Sequence, residues 1–371
     1  MNLTAKTFRG LEPVLAEELA QIGATNIIQL RRAVSFDATK EVLYKANLHL
    51  RTALRILQPL QNFKARNENE LYNKVFDFDW GTYLTLDQTF AVDAVTHSDF
   101  FNHSKYVALK VKDAIADKFV KKTGRRPSVD VERPNFIINV HISQDTVTIS
   151  LDSTGESLHR RGYRTADHIA PLNEVLAAGM LLLSGWKGDK PLVDPMCGSG
   201  TIVLEAAMIA GNIAPGLKRK EFGFMHWGNF DKELWDKIKA EAQAMIVPPK
   251  THIAGSDIQM KFVDLARQSA LDFNIKSYIH FSCSPFADLV PPAPKGFIVT
   301  NPPYGERMKP RDIIDLYQSF GNQLKRQFTG YEAWIISSNF EALKQVGLKP
   351  SVKHTLFNGP LECKFLKYSM Y

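Results

Sequence analysis

The stretch Gly296-Phe297-Ile298-Val299-Thr300-Asn301-Pro302-Pro303-Tyr304 decides the fold. Its first five residues form an apolar run rich in β-branched side chains, the pattern of a strand buried in a parallel sheet. Two successive prolines end it, because neither can donate to a ladder and each fixes its own φ. An Asn, two rigid carbonyl-bearing residues and an aromatic ring are therefore presented at the carboxyl end of a strand, where open α/β sheets take their ligands. Such a group suits a narrow chemistry. The Asn301 side-chain oxygen and the Pro302 carbonyl can both accept from one exocyclic amino group while Tyr304 stacks on the ring that carries it. Two acceptors on an –NH₂ turn its lone pair out of conjugation and toward an electrophile. Asn301, Pro302, Pro303 and Tyr304 are thus candidate catalytic residues of an amino-group methyltransferase. Taken alone, the tetrapeptide reads as well as a turn that merely ends a strand.

Outward from this run, strands alternate with helices from about Ile169 onward. Pro191–Val193 precedes a Gly-rich turn and a helix at Thr201–Ala210. Thr251–Gly255 leads past Asp257 into a helix at Lys261–Phe273, and Ile279–Cys283 forms the next strand. After Phe297–Thr300 come a helix at Ile313–Phe328 and a strand at Ala333–Ser337. Lys353–Phe357 and Cys363–Tyr368 pair around Asn358-Gly359. Alternating β and α implies an α/β fold with a parallel, doubly wound sheet, closed here by an antiparallel hairpin.

The first of these strands runs into Asp194-Pro195-Met196-Cys197-Gly198-Ser199-Gly200-Thr201. Gly198 and Gly200 remove side chains where a ligand must approach backbone, and the helix N-terminus that follows offers free N–H groups. A dinucleotide site is the obvious competitor. The full G-x-G-x-x-G is absent, however, with Val203 standing three residues past Gly200, and no acid lies about 20 residues on. The acid at the next strand end is Asp257, reached only after a helical insertion at about 212–249, and an acid there can bind ribose hydroxyls of any nucleoside. Asp194 discriminates further. Beside the Gly turn it would repel a pyrophosphate and favour the ammonium or sulfonium of S-adenosylmethionine. Together with the Asn-Pro-Pro-Tyr run, it favours a methyltransferase over a turn without function.

The N-terminal half reads differently. A strand-like start and a helical run at Glu12–Ile22 occupy residues 1–59. Residues 60–155 contain an alternating strand at Thr89–Val95, a helix at Ser104–Phe119 and a hairpin of Ile137–Ile142 with Thr146–Leu151. Residues 156–168 form a linker to the domain at 169–371. Net charge is +7, and its distribution says more than its size. Lys118, Lys121, Lys122, Arg125 and Arg126 cluster without an acid among them, and Arg160, Arg161 and Arg164 form a second group. Scattered solvated cations are the bland explanation. Placement of both groups before the catalytic domain favours a polyanionic partner.

Cys197, Cys283 and Cys363 are far apart with no CxxC pair, which suggests neither a disulfide framework nor a zinc site. Met1–Glu18 lacks the apolar core of a secretory leader, and the longest apolar run, Val175–Trp186, is too short to span a bilayer. A cytoplasmic protein with no membrane or metal partner is expected. Cys197 reads better as a packing residue than as a nucleophile, and His159 as a loop or RNA contact. The aromatics Phe222, Phe224, Trp227, Phe230 and Trp235 read better as a small satellite core than as base-stacking residues, and Glu306 and Arg307 are as suited to substrate contact as to loop pairing.

His159–Arg164, Ala170–Glu174, Asp194–Ala207, Asn301–Arg307 and Phe357–Cys363, in this order, resemble the bacterial THUMP-domain RNA methyltransferases. The likeness is nearest to the 23S rRNA guanine-N2 methyltransferase half of the RlmL enzymes and their stand-alone relatives. The resemblance covers nearly the whole chain. It implies an N-terminal ferredoxin-like subdomain, a THUMP RNA-binding domain and a Rossmann-like methyltransferase domain whose sheet ends in an antiparallel strand. It also implies S-adenosylmethionine as cofactor and RNA as partner, either 23S rRNA or a ribosome assembly intermediate. Asp194, Pro195, Cys197, Gly198, Ser199, Gly200 and Thr201 would line the methionine part, Asp257 would hold the ribose, and Ile258 would pack on the adenine. The family usually carries an acid early in the loop after the third strand. Here Asp288 is the only acid available, later than the pattern asks. Lys118, Lys121, Lys122, Arg125, Arg126, Arg160, Arg161 and Arg164 would bind RNA. A DNA adenine-N6 methyltransferase and a non-catalytic RNA-binding or assembly protein are the alternatives.

Overall fold

The computed structural model describes residues 1–163, 172–304 and 309–370, which form two sheets. The first half contains β1 (Asn2–Lys6), α1 (Glu12–Gln21), β2 (Thr25–Leu30), β3 (Ala33–Asp37), α2 (Lys40–His49), β4 (Arg55–Lys64), α3 (Glu68–Asp77), β5 (Thr89–His97), α4 (Ser104–Thr123), β6 (Ser128–Val129), β7 (Phe136–Ser143) and β8 (Thr146–Asp152). Its eight strands lie in the order β2-β3-β1-β4-β8-β7-β5-β6. The sequence reading divides the chain after Pro59, yet β4 continues through that residue. Its start pairs with β1 and its remainder with β8, so the first 155 residues share one sheet. The ladder accommodates the missing proline donor with a register shift between Pro59 and Gln61. Gln144, with φ of 52°, turns the β7–β8 hairpin, and Gly124, with φ of 71°, ends α4.

The second half contains α5 (Glu174–Leu183), β9 (Leu192–Asp194), α6 (Thr201–Ala210), α7 (Lys232–Ala244), β10 (Ile253–Asp257), α8 (Met260–Asp272), β11 (His280–Cys283), β12 (Gly296–Thr300), α9 (Pro310–Gln327), β13 (Tyr331–Ser337), α10 (Phe340–Gln345), β14 (Val352–Asn358) and β15 (Leu361–Ser369). The strand order is β11-β10-β9-β12-β13-β15-β14, parallel from β11 to β13, with β15 antiparallel to both β13 and β14. This is the parallel sheet closed by a hairpin that the sequence implies. Helices cover both faces. α5 is apolar all round because it is buried between layers, and it comes so close to the first half that a Cβ on Gly179 would lie 2.6 Å from a Leu11 methyl. Among the described residues no helix is long and apolar enough to cross a membrane.

The insertion before β10 does not form a core of its own. Phe222, Phe224 and Trp235 pack round Tyr44 of α2, whose ring stacks on Phe224 at 4.5 Å, so these aromatics complete the core of the first half. They are unavailable for stacking on nucleotides. Arg161 also departs from its expected role. It is only 2 % exposed. Its guanidinium donates to Glu205 of α6 at 3.3 Å, to the Leu158 carbonyl at 2.7 Å and to the Arg51 carbonyl at 2.5 Å. It cannot reach a phosphate. A carboxylate inside the apolar helix α6 needs a buried cation, and Arg161 supplies it. Arg161→Met should therefore cost about 3 kcal/mol in a urea titration by stranding that carboxylate. Arg160→Met, at an exposed pair with Glu156, should change stability by less than about 0.5 kcal/mol.

Candidate active site

The chain leaves β9 toward β10 on one side, while β12 lies on the other, so the sheet has its switch point beyond the ends of β9 and β12. Both sequence motifs converge there. Asp194 ends β9 and is 1 % exposed. Its Oδ1 accepts from Thr300 Oγ1 at 2.7 Å and from the Met196 backbone N–H at 3.3 Å. The Thr300 bond joins the first motif directly to the residue preceding Asn301. Burial, reinforced by the nearby Asp257 charge, pushes the Asp194 carboxyl up to about 7 against the opposing pull of those two hydrogen bonds.

The glycine turn is held from β10. Cys197 N–H donates to the Ser256 carbonyl at 2.8 Å, and Asp257 accepts from Gly198 N–H at 3.0 Å and from Gln259 N–H at 2.9 Å. Gly200 adopts φ of 82°, and a Cβ there would lie 2.8 Å from the Ala266 side chain of α8. Glycine is required on both counts. Gly198, with φ of 53°, faces open space and leaves its backbone bare. Pro195 is buried and Ser199 half-buried in the same turn, and Thr201 opens α6. Beside Asp257, Ile258 is 69 % exposed, an apolar side chain presented to solvent at the edge of the site. Cys197 is a buried free thiol, and burial together with Asp194 and Asp257 pushes it well above its ordinary value, so it is no ready nucleophile.

Across the crevice, Asn301 follows β12. Its Oδ1 is buried and has no hydrogen-bond partner among the described residues. A buried acceptor left open at a strand end asks for a ligand donor. Pro302 is buried and Pro303 exposed. The half-buried Tyr304 packs against the core beneath the β14–β15 hairpin, its hydroxyl accepting from Asn358 Nδ2 at 2.8 Å. Burial pushes that hydroxyl up to about 12, so it stays protonated.

Asp288 lies elsewhere in the loop after β11. It is exposed, in a turn at Phe286–Asp288 that leans on α9 through Phe286 against Phe320 and through Gln323 Nε2 to the Ala287 carbonyl at 2.8 Å. Among the described residues it shares no hydrogen bond with the glycine turn or Asp257. Thr300, Asn358 and Cys363 join the site without having been singled out as candidates. Thr300 carried one usable signal, a hydroxyl closing an apolar strand immediately before Asn301. Among the described residues no group of three or more His, Cys, Asp or Glu side chains is placed to hold a metal ion. Glu306 and Arg307, like Arg164, lie outside the described residues.

A family model described as RMKL-like methyltransferase domain matches residues 161–367, more than half the chain. The chain belongs to this family. Models of the THUMP domain and of the RlmL ferredoxin-like domain match residues 65–152 and 2–57. A putative RNA methyltransferase of Synechocystis sp. is 39 % identical over 372 residues, covering 99 % of this chain and 96 % of that protein. The ribosomal RNA large subunit methyltransferase K/L of Methylococcus capsulatus is 41 % identical over 374 residues, covering 98 % of this chain but 50 % of that protein. This RMKL-like chain thus spans about half the length of such K/L relatives. The crystal structure of SMU.472, a putative methyltransferase complexed with SAH, superposes with a TM-score of 0.89 at 32 % identity, covering 100 % of this chain and 98 % of that one.

Lys118 and Lys121 lie over the Phe76 ring, each 5.4 Å from its centroid, Lys122 pairs with Asp79 at 3.4 Å, and Arg126 with Asp113 at 3.2 Å. Arg125 and Arg160 are exposed. Solvent-exposed pairs of this kind contribute little and leave the cations free to exchange partners.

Proposed function

We propose that this chain transfers a methyl group from S-adenosylmethionine to an exocyclic amine of a base in RNA, guanine N2 of large-subunit ribosomal RNA being the preferred target. The observation that carries the reading is the buried Oδ1 of Asn301, which has no partner among the described residues and lies one residue from the Thr300–Asp194 bridge. The cofactor fits the residues present. Asp194 is a buried carboxylate that, among the described residues, accepts from a hydroxyl and an amide and from no cation, so a ligand ammonium would supply the charge it lacks. Gly198 leaves backbone open, Asp257 keeps lone pairs for ribose hydroxyls, and the exposed Ile258 offers an apolar surface for a purine. Pro195, Cys197, Ser199, Gly200 and Thr201 shape that turn. When bound, the cofactor supplies a methyl group activated by a sulfonium.

The chain's own task is orientation. Asn301 Oδ1 and the Pro302 carbonyl accept both hydrogens of the amine, while the Tyr304 ring holds the base plane. Neither needs to move a proton before transfer. The target base would be flipped into the crevice, since stacking hides its amine. The K/L relatives' name supports ribosomal RNA as the substrate, with residues 60–155 as the RNA-binding unit, 169–371 as the catalytic one and Lys118, Lys121, Lys122, Arg125, Arg126 and Arg160 as phosphate contacts.

Side-by-side assays with tritiated methyl donor on protein-free ribosomal RNA and on genomic DNA test this reading. RNA should be labelled and DNA should not. Label in DNA alone would favour an adenine-N6 enzyme, and label in neither would favour an assembly protein. The joint change Arg125→Ala and Arg126→Ala should reduce the slope of log affinity against log salt for RNA by roughly 1.5, the loss of two phosphate contacts.

A further inference from the structure

One side chain reaches the base-gripping segment from a distant stretch of sequence. Asn358 ends β14, and its Nδ2 donates to the Tyr304 hydroxyl at 2.8 Å. Tyr304 itself lies in irregular chain just past β12, where no ladder fixes its side chain. Packing against the core confines one side of the ring, and a hydrogen bond at its far end fixes the plane of the other. The Cys363 thiol of β15 is fully buried, interacts with the same hydroxyl, and is directed at the Leu361 carbonyl 3.7 Å away.

The strand that carries Asn358 is braced from the first half. A Cβ on Gly10 would lie 2.6 Å from the Thr355 carbonyl oxygen, so the loop between β1 and α1 sits hard against β14. The Arg9 guanidinium lies 5.4 Å from the Phe357 ring centroid, and Leu11 is buried in the same core as Leu356 and Cys363. Glu12 fixes that loop by accepting from Gly10 N–H at 2.6 Å and from Arg32 N–H at 2.9 Å.

We propose that Asn358 is a positioning residue for methyl transfer, clamping the Tyr304 hydroxyl so that the ring plane on which the target base stacks is fixed by a hairpin seated on the N-terminal sheet. The proposal deepens the methyl-transfer reading and rests on it for its kinetic consequence. It makes the base site depend on the seating of the first half, which carries the RNA-facing cations.

The test is a double-mutant cycle with a structural readout beside it. Asn358→Leu, close in volume but without a donor, should lower kcat on protein-free ribosomal RNA about tenfold, with cofactor affinity by calorimetry within twofold. Tyr304→Phe should do the same, and the double variant should be no worse than the poorer single one. Multiplying losses would overturn the proposal, as would a wild-type rate in Asn358→Leu. Protein labelled with tyrosine ¹³C at Cζ gives the second readout: the resonance missing from Tyr304→Phe identifies the ring, and it should shift in Asn358→Leu. Asn358→Asp, which keeps the volume but accepts instead of donating, should shift it too, and serves if the Leu variant does not fold. An unmoved resonance in the folded variant overturns the anchor whether or not RNA is methylated. A moved resonance in a protein that methylates no RNA would sink the functional reading and leave the anchor standing.

Discussion

Asn301→Ala should lower methyl transfer by about 10³-fold, the scale at which removal of one preorganised polar partner of a reacting group is felt. Cofactor affinity should stay within about twofold. The division follows from placement: Asn301 follows β12, whereas the glycine turn, Asp194 and Asp257 sit on β9, β10 and the start of α6. The buried Oδ1 has no protein partner to lose among the described residues, so truncation should not destabilise the fold. If anything, removing an unsatisfied buried acceptor stabilises the ligand-free chain. Calorimetry for cofactor and a single-turnover methyl-transfer assay separate the two effects. Loss of cofactor affinity comparable to that caused by changing Asp194 would contradict the assignment of roles.

Asp194→Asn should weaken cofactor binding about 100-fold, because it removes the charged partner of a buried ion pair. Its effect on stability should have the opposite sign and depend on pH. The Asp194 carboxyl titrates near 3.8 when unfolded and is pushed up to about 7 in the folded chain, chiefly by burial. The folded state therefore holds this proton more tightly. Its contribution to stability is fully present below about 4 and is lost as pH rises through about 7. Asparagine has no proton to lose and keeps an oxygen for Thr300 and Met196. The variant should consequently melt higher than wild type at pH 8, by up to roughly 4 kcal/mol at about 1.4 kcal/mol per pKa unit, and show no such advantage at pH 4. Wild-type cofactor affinity should rise with pH up to about 7 and level off above it, whereas the variant should lack that rise. Calorimetry and thermal melts at pH 4, 5, 6, 7 and 8 follow both trends. A variant destabilised at pH 8, or an affinity independent of pH in the wild type, would show that the carboxylate is not the charge that recognises the ligand.

What could be read without coordinates was whatever local chemistry fixes. Phe297–Thr300 is a strand because its residues are β-branched or aromatic and two prolines follow. The glycine turn sits where φ of 82° and contact with Ala266 permit nothing larger than Gly200. The alternation of strands and helices yields the parallel sheet with its closing hairpin. What could not be read depends on partners far away in the chain. Arg161 looks like its neighbours Arg160 and Arg164. Only Glu205, an acid stranded in the apolar run Thr201–Ala210, hints that one of these arginines is drawn inward. The insertion's aromatics look self-sufficient until Tyr44, 180 residues before Phe224, is set among them. The links from Thr300 to Asp194 and from Asn358 to Tyr304 are likewise invisible locally, since each joins side chains of ordinary type across 106 and 54 positions.

All of this turns on an amine being the group that Asn301 and Pro302 hold. Ribosomal RNA methylated in vitro with a deuterated methyl donor, digested and resolved by mass spectrometry, reads the acceptor atom directly. The label should appear on an exocyclic nitrogen, as N2-methylguanosine. Label confined to a ribose 2′-oxygen, a ring carbon or a ring nitrogen would contradict the account.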